Sequence, residues 1–291
     1  MRAIQQMQRA AMTGRLFVVA IHIGNTEDLT ARSVRILRNA SRIACESLSR
    51  AKILLKHLDI PFNKSSLIVL KDVHEDAGTS QVLRALDAGH EVALVVDAGT
   101  PLISDPGFRV VRETHSRGIA TTPVPGASSL TALASVSPIP LNTFKFIGFL
   151  RSRGEAKRSQ LADIGDSQVP TIFFETSKRV LATLRTWIDL GFGNREVFLG
   201  RELTKTHEEL LYGSVADVCR KLENRPQVLG EFVGVLAEST VEIKTLEADS
   251  LIRELLPHVK PAQIARIVAN VTSLPRDEAY LRTTELRERL S

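Results

Sequence analysis

Aromatic side chains make up only 5% of this 291-residue chain, with a single Trp and two Tyr. A binding face built from many stacked rings is therefore excluded. Cysteine is scarcer still: Cys45 and Cys219 stand far apart in apolar runs, the setting of reduced core thiols. No Cys/His group has zinc spacing, so no metal is expected. No stretch approaches the ~20 apolar residues that span a bilayer, so no membrane association is expected either. The first residues, MRAIQQMQRAAMTGR, lack the apolar centre of a secretory signal. They read as a disordered tail, and the expected location is the cytoplasm.

What is present is ordinary for a globular protein, with 43% apolar and 24% charged residues. The net charge of +5 permits a polyanionic partner without requiring one. Short β-branched runs alternate with helical periodicity. Strands are expected near residues 16–23, 43–46, 67–70, 91–96, 119–124, 144–150, 170–175, 195–200 and 231–238. Helical patterns separate them, which predicts a mostly parallel sheet covered on both faces. Pro138-Ile139-Pro140 suggests a boundary. The expected organisation is a tail (1–15), an N-terminal α/β domain (16–140), a C-terminal α/β domain (141–240) and a helical extension (241–291). The extension carries seven basic and seven acidic residues from Glu247 onward, so it is not a basic arm.

Chemistry concentrates where strands end. Residues 97–107, DAGTPLISDPG, follow the most apolar strand. Glycines there open backbone conformations closed to other residues, and prolines stiffen the loop. At the carboxyl end of a parallel sheet such a loop faces ligands, and Asp97 and Asp105 can accept from an amine or a ribose. Val124-Pro125-Gly126-Ala127-Ser128-Ser129 is a second strand-to-helix turn. Its serines suit either a helix cap or a polar ligand. Ile23-Gly24-Asn25 closes the first strand and is not a dinucleotide fingerprint. In the second half, residues 174–179 (FETSKR) and 200–206 (GRELTKT) put charge at strand ends, as a buried ion network or a substrate-facing wall. Lys205 is the candidate there for steering phosphate or assisting loss of a hydroxyl proton. Arg32, Arg35 and Arg38 recur on one predicted helix, and residues 32–56 hold seven basic residues against one acidic. Arg151, Arg153, Lys157 and Arg158 form a second basic stretch, read as a Gly-containing loop. Two such patches favour RNA or another polyanion.

In order and spacing, these segments resemble the tetrapyrrole methylase superfamily, and within it the ribosomal RNA small subunit methyltransferase I group. The DAGTPLISDPG and RELTK blocks are the most specific, joined by residues 148–150, 175–179, 230–231 and the extension's KPAQIA and Tyr280. The resemblance covers about residues 15 to 290. It implies two α/β domains with a cleft between them for S-adenosylmethionine, a homodimer, and 2′-O-methylation of a cytidine in small-subunit rRNA, free or in the assembled subunit. Carried over by motif, the cofactor would meet Gly24, Asp97, Ala98, Gly99, Thr100, Pro101, Ile103, Ser104, Pro125, Gly126, Ser128, Ser129 and Glu175. Arg201, Glu202 and Lys205 would take part in catalysis. Three stretches depart from the family pattern. Ala20-Ile21-His22 stands for a Thr-Pro, Glu46-Ser47-Leu48-Ser49 for Glu-Asp-Thr-Arg, and Val73-His74-Glu75 for His-Asn-Glu. A non-catalytic RNA- or ribosome-binding paralogue and a tetrapyrrole methylase stay open as alternatives. The enzyme reading requires a cleft that side chains do not fill.

Overall fold

The computed structural model describes residues 14–70, 75–239, 245–272 and 274–290. Most of the N-terminal tail and the changed position His74 lie outside these. The chain divides into two compact units, Met1–Glu238 and Ser239–Ser291.

The first unit holds two five-stranded sheets. The first sheet is built from β1 (Arg15–Val19), β2 (Arg42–Cys45), β3 (Leu67–Val69), β4 (Val92–Val95) and β5 (Ala120–Val124), in the order β3-β2-β4-β1-β5. Every pairing is parallel. The four residues of β4 are buried throughout, which is why the sequence shows an unbroken apolar run there. Helices α1 (Ala31–Asn39) and α2 (Leu48–His57) contribute to the core on one face, with Ile36, Leu37, Leu54 and Leu55 against Val19 and Val95. Helices α3 (Glu75–Asp87) and α4 (Phe108–Ser116) cover the other, with Val82, Leu86 and Val110 against Leu16 and Leu94. Thr30 starts α1 by accepting from the Ser33 N–H at 3.0 Å, and buried Ser33 in turn donates to the Ala20 carbonyl. Pro123 lies in β5, an edge strand, where a missing donor is tolerated.

After α5 (Ser129–Ser135), the second sheet comprises β6 (Lys145–Phe149), β7 (Thr171–Thr176), β8 (Glu196–Arg201), β9 (Glu209–Ser214) and β10 (Glu231–Leu236), in the order β6-β7-β10-β8-β9. Only β6 and β7 are parallel; β7–β10, β10–β8 and β8–β9 are antiparallel. The expectation of a mostly parallel sheet therefore holds for the first sheet and is corrected for the second. There the final strand is inserted between two earlier ones. Helices α6 (Gly154–Gly165), α7 (Ser177–Asp189) and α8 (Val215–Glu223) complete the half. Trp187 anchors their core, donating Nε1–H to the Leu161 carbonyl at 3.0 Å and meeting Phe173 edge to face. Of the basic stretch read as a loop at 151–158, residues 154–158 are in fact the start of α6.

The two halves share a core. Ile23 and Leu133 of the first pack with Ile172, Phe198, Leu203, Val233 and Val235 of the second. That shared layer fixes the carboxyl edge of the first sheet against the second.

The second unit contains α9 (Thr245–Leu255), α10 (Pro261–Val271) and α11 (Arg276–Leu290) around Ile252, Ile264, Val268 and Leu286. Pro261 stands in the first turn of α10, where a missing N–H costs nothing. No helix among the described residues is long and apolar enough to cross a membrane.

Candidate active site

Because the first sheet is wholly parallel, the segments after β1, β2, β4 and β5 all emerge at one edge. The loop after β4 is tied to that edge by its own backbone. The Gly99 N–H donates to the His22 carbonyl at 3.1 Å, the Gly99 carbonyl accepts from Ile21 N–H at 2.9 Å, and the Thr100 hydroxyl donates to the Ala127 carbonyl at 3.1 Å. Leu102 and Ser104 hold φ of 71° and 70°, left-handed conformations that side chains rarely adopt. Facing this loop, Glu202 and Thr204 of the second half have φ of 51° and 65°. Strain is thus concentrated in two loops that border one space.

That space is a cleft of about 400 Å³, inside the range of small-ligand sites. The first half lines it with Ile23, Glu46, residues 97–100 and 103–105, Ser128 and Ser129. The second adds Phe149, residues 174–176, Gly200, Glu202, Leu203, Lys205 and residues 230–233. Of the residues expected at the site, Asp97, Ala98, Gly99, Thr100, Ile103, Ser104, Ser128, Ser129, Glu175, Glu202 and Lys205 come together here. Ser128 stands at the N-cap of α5 without capping it, so its hydroxyl is left to the cleft.

Five expected residues do not line the cleft, each for a physical reason. At Gly24 an added Cβ would fall 2.4 Å from Lys205 Cγ and 2.9 Å from Thr204 Oγ1. It is where the two halves touch, and Asn25 N–H donates to Thr204 Oγ1 beside it at 3.1 Å. Pro101 is buried beneath its loop. Gly126 lets its turn close on Ala20, 3.0 Å from where a Cβ would be, and Pro125 sits outside on the surface. Arg201 turns away, donating to the Leu229 carbonyl at 2.6 Å and pairing with Glu209 at 3.5 Å.

Glu175 borders the cleft, yet its carboxylate is used up by the protein. It accepts from Lys157 Nζ at 3.1 Å, Arg179 Nη2 at 2.7 Å, Thr183 Oγ1 at 2.8 Å and its neighbour's N–H, that of Thr176, at 2.9 Å. Four donors fill the lone-pair positions of one carboxylate. Lys157 is accordingly buried and belongs to this network, not to a basic surface.

Lys205 Nζ lies 3.0 Å from Glu202 Oε1 and 2.9 Å from Glu231 Oε2. Burial works against its charge, but the hydrogen bonds to Glu231 and Glu202 outweigh that and hold it above the usual lysine range. Glu202 is likewise desolvated, and the Glu231 N–H and Lys205 more than compensate, holding it below the usual carboxylate range. Glu231 has no sequence signal beyond its place in the Gly230-Glu231 pair. Gly230 is required because a Cβ would meet Glu202 Cγ at 2.5 Å.

On the opposite wall, Asp97 N–H donates to Glu46 Oε2 at 3.3 Å. Burial raises the Asp97 carboxyl above its ordinary range, against the pull of nearby Arg50 and the Ser47 N–H. Ser47, one of the departures from the family pattern, caps α2 by accepting from Arg50 N–H at 3.5 Å. His22, another departure, meets the loop only through its carbonyl. Its Nδ1 is buried with no hydrogen-bond partner, and its pKa is lowered by burial and by His57, with Asp28 opposing. Among the described residues no cluster of His, Cys, Asp and Glu has the form of a metal site.

Among the described residues the lining carries the carboxylates Glu46, Asp97, Asp105, Glu202 and Glu231 against the cation Lys205, while Glu175 is already met by Lys157 and Arg179. Such a cleft favours a ligand bearing positive charge together with apolar surface for Ile23, Ile103, Phe149, Phe174 and Val233.

Residues 15–219 match the model of the Tetrapyrrole (Corrin/Porphyrin) Methylases. A ribosomal RNA small subunit methyltransferase I from Xylella fastidiosa is 37% identical over 270 residues, covering 92% of this chain and 98% of that protein. One from Thermotoga maritima is 38% identical over 224 residues, covering 77% and 98%. Among solved structures, uroporphyrin III C-methyl transferase from Thermus thermophilus superposes with a TM-score of 0.55 at 17% identity, over 77% of this chain and 98% of that one. The methyltransferase CobJ superposes with 0.57 at 15% identity, over 78% and 95%. These two establish the fold; the sequence matches establish kinship. The chain belongs to the tetrapyrrole (corrin/porphyrin) methylase family, and within it to the ribosomal RNA small subunit methyltransferase I group.

Proposed function

We propose that the protein transfers a methyl group from S-adenosylmethionine to the 2′-hydroxyl of a cytidine ribose in small-subunit ribosomal RNA. The observation that carries this reading is the cleft itself. It is open, walled by both halves, apolar in part and bordered by more carboxylates than cations, which suits a cofactor whose sulfonium and ammonium are cations. The names of relatives that match over most of the chain support RNA as the acceptor. When bound, S-adenosylmethionine supplies a methyl group already activated on sulfur. The protein's share is to hold the donor and the hydroxyl in line and to keep water out.

Each residue has a role in that scheme. Asp97 and Glu46 offer carboxylate acceptors on one wall, and Ser128 offers a free hydroxyl. Lys205, protonated and held by two carboxylates, is positioned as a donor to a ribose oxygen and stabilises charge as the hydroxyl proton departs. Already protonated, it cannot take that proton, which passes to solvent. The test is transfer of labelled methyl from S-adenosylmethionine to unmodified small subunits, with the modified nucleotide mapped by digestion. Transfer to a ribose oxygen is expected; an absence of transfer over a wide salt range removes the enzyme reading.

Asp97→Asn separates binding from stability. The variant is expected to bind S-adenosylmethionine about tenfold more weakly, the size of one charge-assisted hydrogen bond. It is also expected to melt at a higher temperature at neutral pH when ligand-free. The sign follows from the raised carboxyl. The folded state holds that proton more tightly than the unfolded state, so ionisation of Asp97 opposes folding above its folded pKa. Calorimetry and thermal melts report both effects, and unchanged affinity would take Asp97 out of the site.

A further inference from the structure

At the other edge of the first sheet lies a groove that the methyl-transfer chemistry does not use. Its volume is about 260 Å³, and it is lined by Arg15, Phe17, Arg32, Arg35, Ile36, Asn39 and Glu91. Arg15 opens β1 and Glu91 immediately precedes β4. The groove therefore sits at the amino edge of the parallel strands, with the cleft at their carboxyl edge. Arg32 and Arg35 are three residues apart on α1 and share one exposed face of it. Arg15 lies with its guanidinium carbon 5.9 Å from the centre of the Phe17 ring.

Some surface arginines of the molecule are tied to acidic neighbours. Arg117, Arg185, Arg220 and Arg225 are each paired with a carboxylate. Arg15, Arg32 and Arg35 have no such partner among the described residues, although Glu91 lines the same groove. Three guanidiniums brought together around the one carboxylate of Glu91 leave an excess of positive charge in the groove. The arrangement is favourable when an anion with several oxygens enters between them, and a guanidinium fork matches phosphate geometry. Asn39 and Glu91 in the lining add acceptors suited to a ribose hydroxyl.

We propose that this groove is a second RNA contact, gripping the sugar–phosphate backbone of the substrate RNA away from the nucleotide being methylated. The proposal rests on the reading of the chain as an rRNA methyltransferase. In physical terms, the groove fixes register and affinity while the cleft does chemistry.

The test is Arg32→Glu/Arg35→Glu, two exposed positions where a polar exchange costs little stability. Binding of a small-subunit rRNA fragment is followed by fluorescence anisotropy across a salt series. The expected loss is about tenfold or more at ~0.1 M salt, with the slope of log affinity against log salt shallower by about one to two. Binding of S-adenosylhomocysteine, followed by calorimetry, should stay unchanged. A control of equal charge, Arg112→Glu/Lys221→Glu, should lose less. RNA affinity that survives the groove substitutions, or falls no further than in the control, overturns the proposal. So does a loss confined to assembled subunits with naked RNA unaffected, which would place a protein in the groove. A wild-type protein that binds RNA through these arginines yet transfers no methyl group would leave the groove standing and sink the enzyme reading alone.

Discussion

Replacing Glu175 with alanine is expected to lower the unfolding free energy by about 3–5 kcal/mol and the melting temperature by about 10 °C. The carboxylate is fully buried between Lys157, whose side chain is 9% exposed, and Arg179, at 25%. Truncation leaves both cations facing a low-dielectric interior, along with the Thr183 hydroxyl and the Thr176 N–H that also donated to it. The unmet charges dominate, because a buried ion without its counter-ion costs more than the pair contributes. Glu175→Gln should fall between, keeping an acceptor oxygen and losing the charge. Adding Lys157→Met to Glu175→Gln should recover part of the loss, since one stranded cation is then gone. The double-mutant cycle over these variants, read by denaturant midpoints, measures the coupling. Additive effects would mean that the four contacts do not act as a unit. Cofactor binding should weaken too, because Phe174 and Thr176, on either side of Glu175, line the cleft.

Glu175 also shows what a sequence can and cannot reveal about a site. Its position at a strand end among Lys178 and Arg179 suggests either a ligand contact or an internal ion network. The decisive partner, Lys157, comes from a helix whose glycine- and arginine-rich opening hides its periodicity. Only the folded arrangement turns that lysine inward. The loop at 97–107 was legible because its chemistry is local: prolines, glycines and aspartates follow one continuously apolar strand. Phe232 and Val233 were not, because they reach the cleft through the insertion of β10 between β7 and β8, a pairing no local pattern encodes.

Elements were missed for similar reasons. β9 reads ELLYGS, with Leu211 buried and Leu210 and Tyr212 exposed, so three adjacent large apolar residues blur the alternation of an edge strand. α2 was visible only as a run of positive charge. Its cap, Ser47, falls where the sequence departs from the family pattern, and its buried positions, Ala51, Leu54 and Leu55, are too few to announce a helix. The departures themselves are accommodated differently. Ser47 takes over a capping role, whereas at His22 the fold uses only the backbone, and the imidazole nitrogen is left buried without a partner.

Lys205→Ala is expected to slow methyl transfer to rRNA by about 10²–10³-fold, the usual effect of removing one preorganised donor from a site of developing negative charge. Lys205 and Glu202 share one ion network, and its pH range follows from their opposite shifts. A lysine raised in the folded state contributes stability in full below its ordinary pKa and loses it as pH rises through the raised value. A glutamate held low contributes above its ordinary pKa and loses that as pH falls through the lowered value. Across the neutral range both are charged and the contact is complete. Single-turnover rates measured from about pH 6 to 9 should therefore show no rise attributable to Lys205 losing its proton. Lys205→Arg should retain part of the rate, because the charge survives while the compact ammonium geometry is lost. A full rate in the alanine variant, or a wild-type rate that climbs as the lysine deprotonates, would show that the ribose oxygen takes no hydrogen bond from this ammonium.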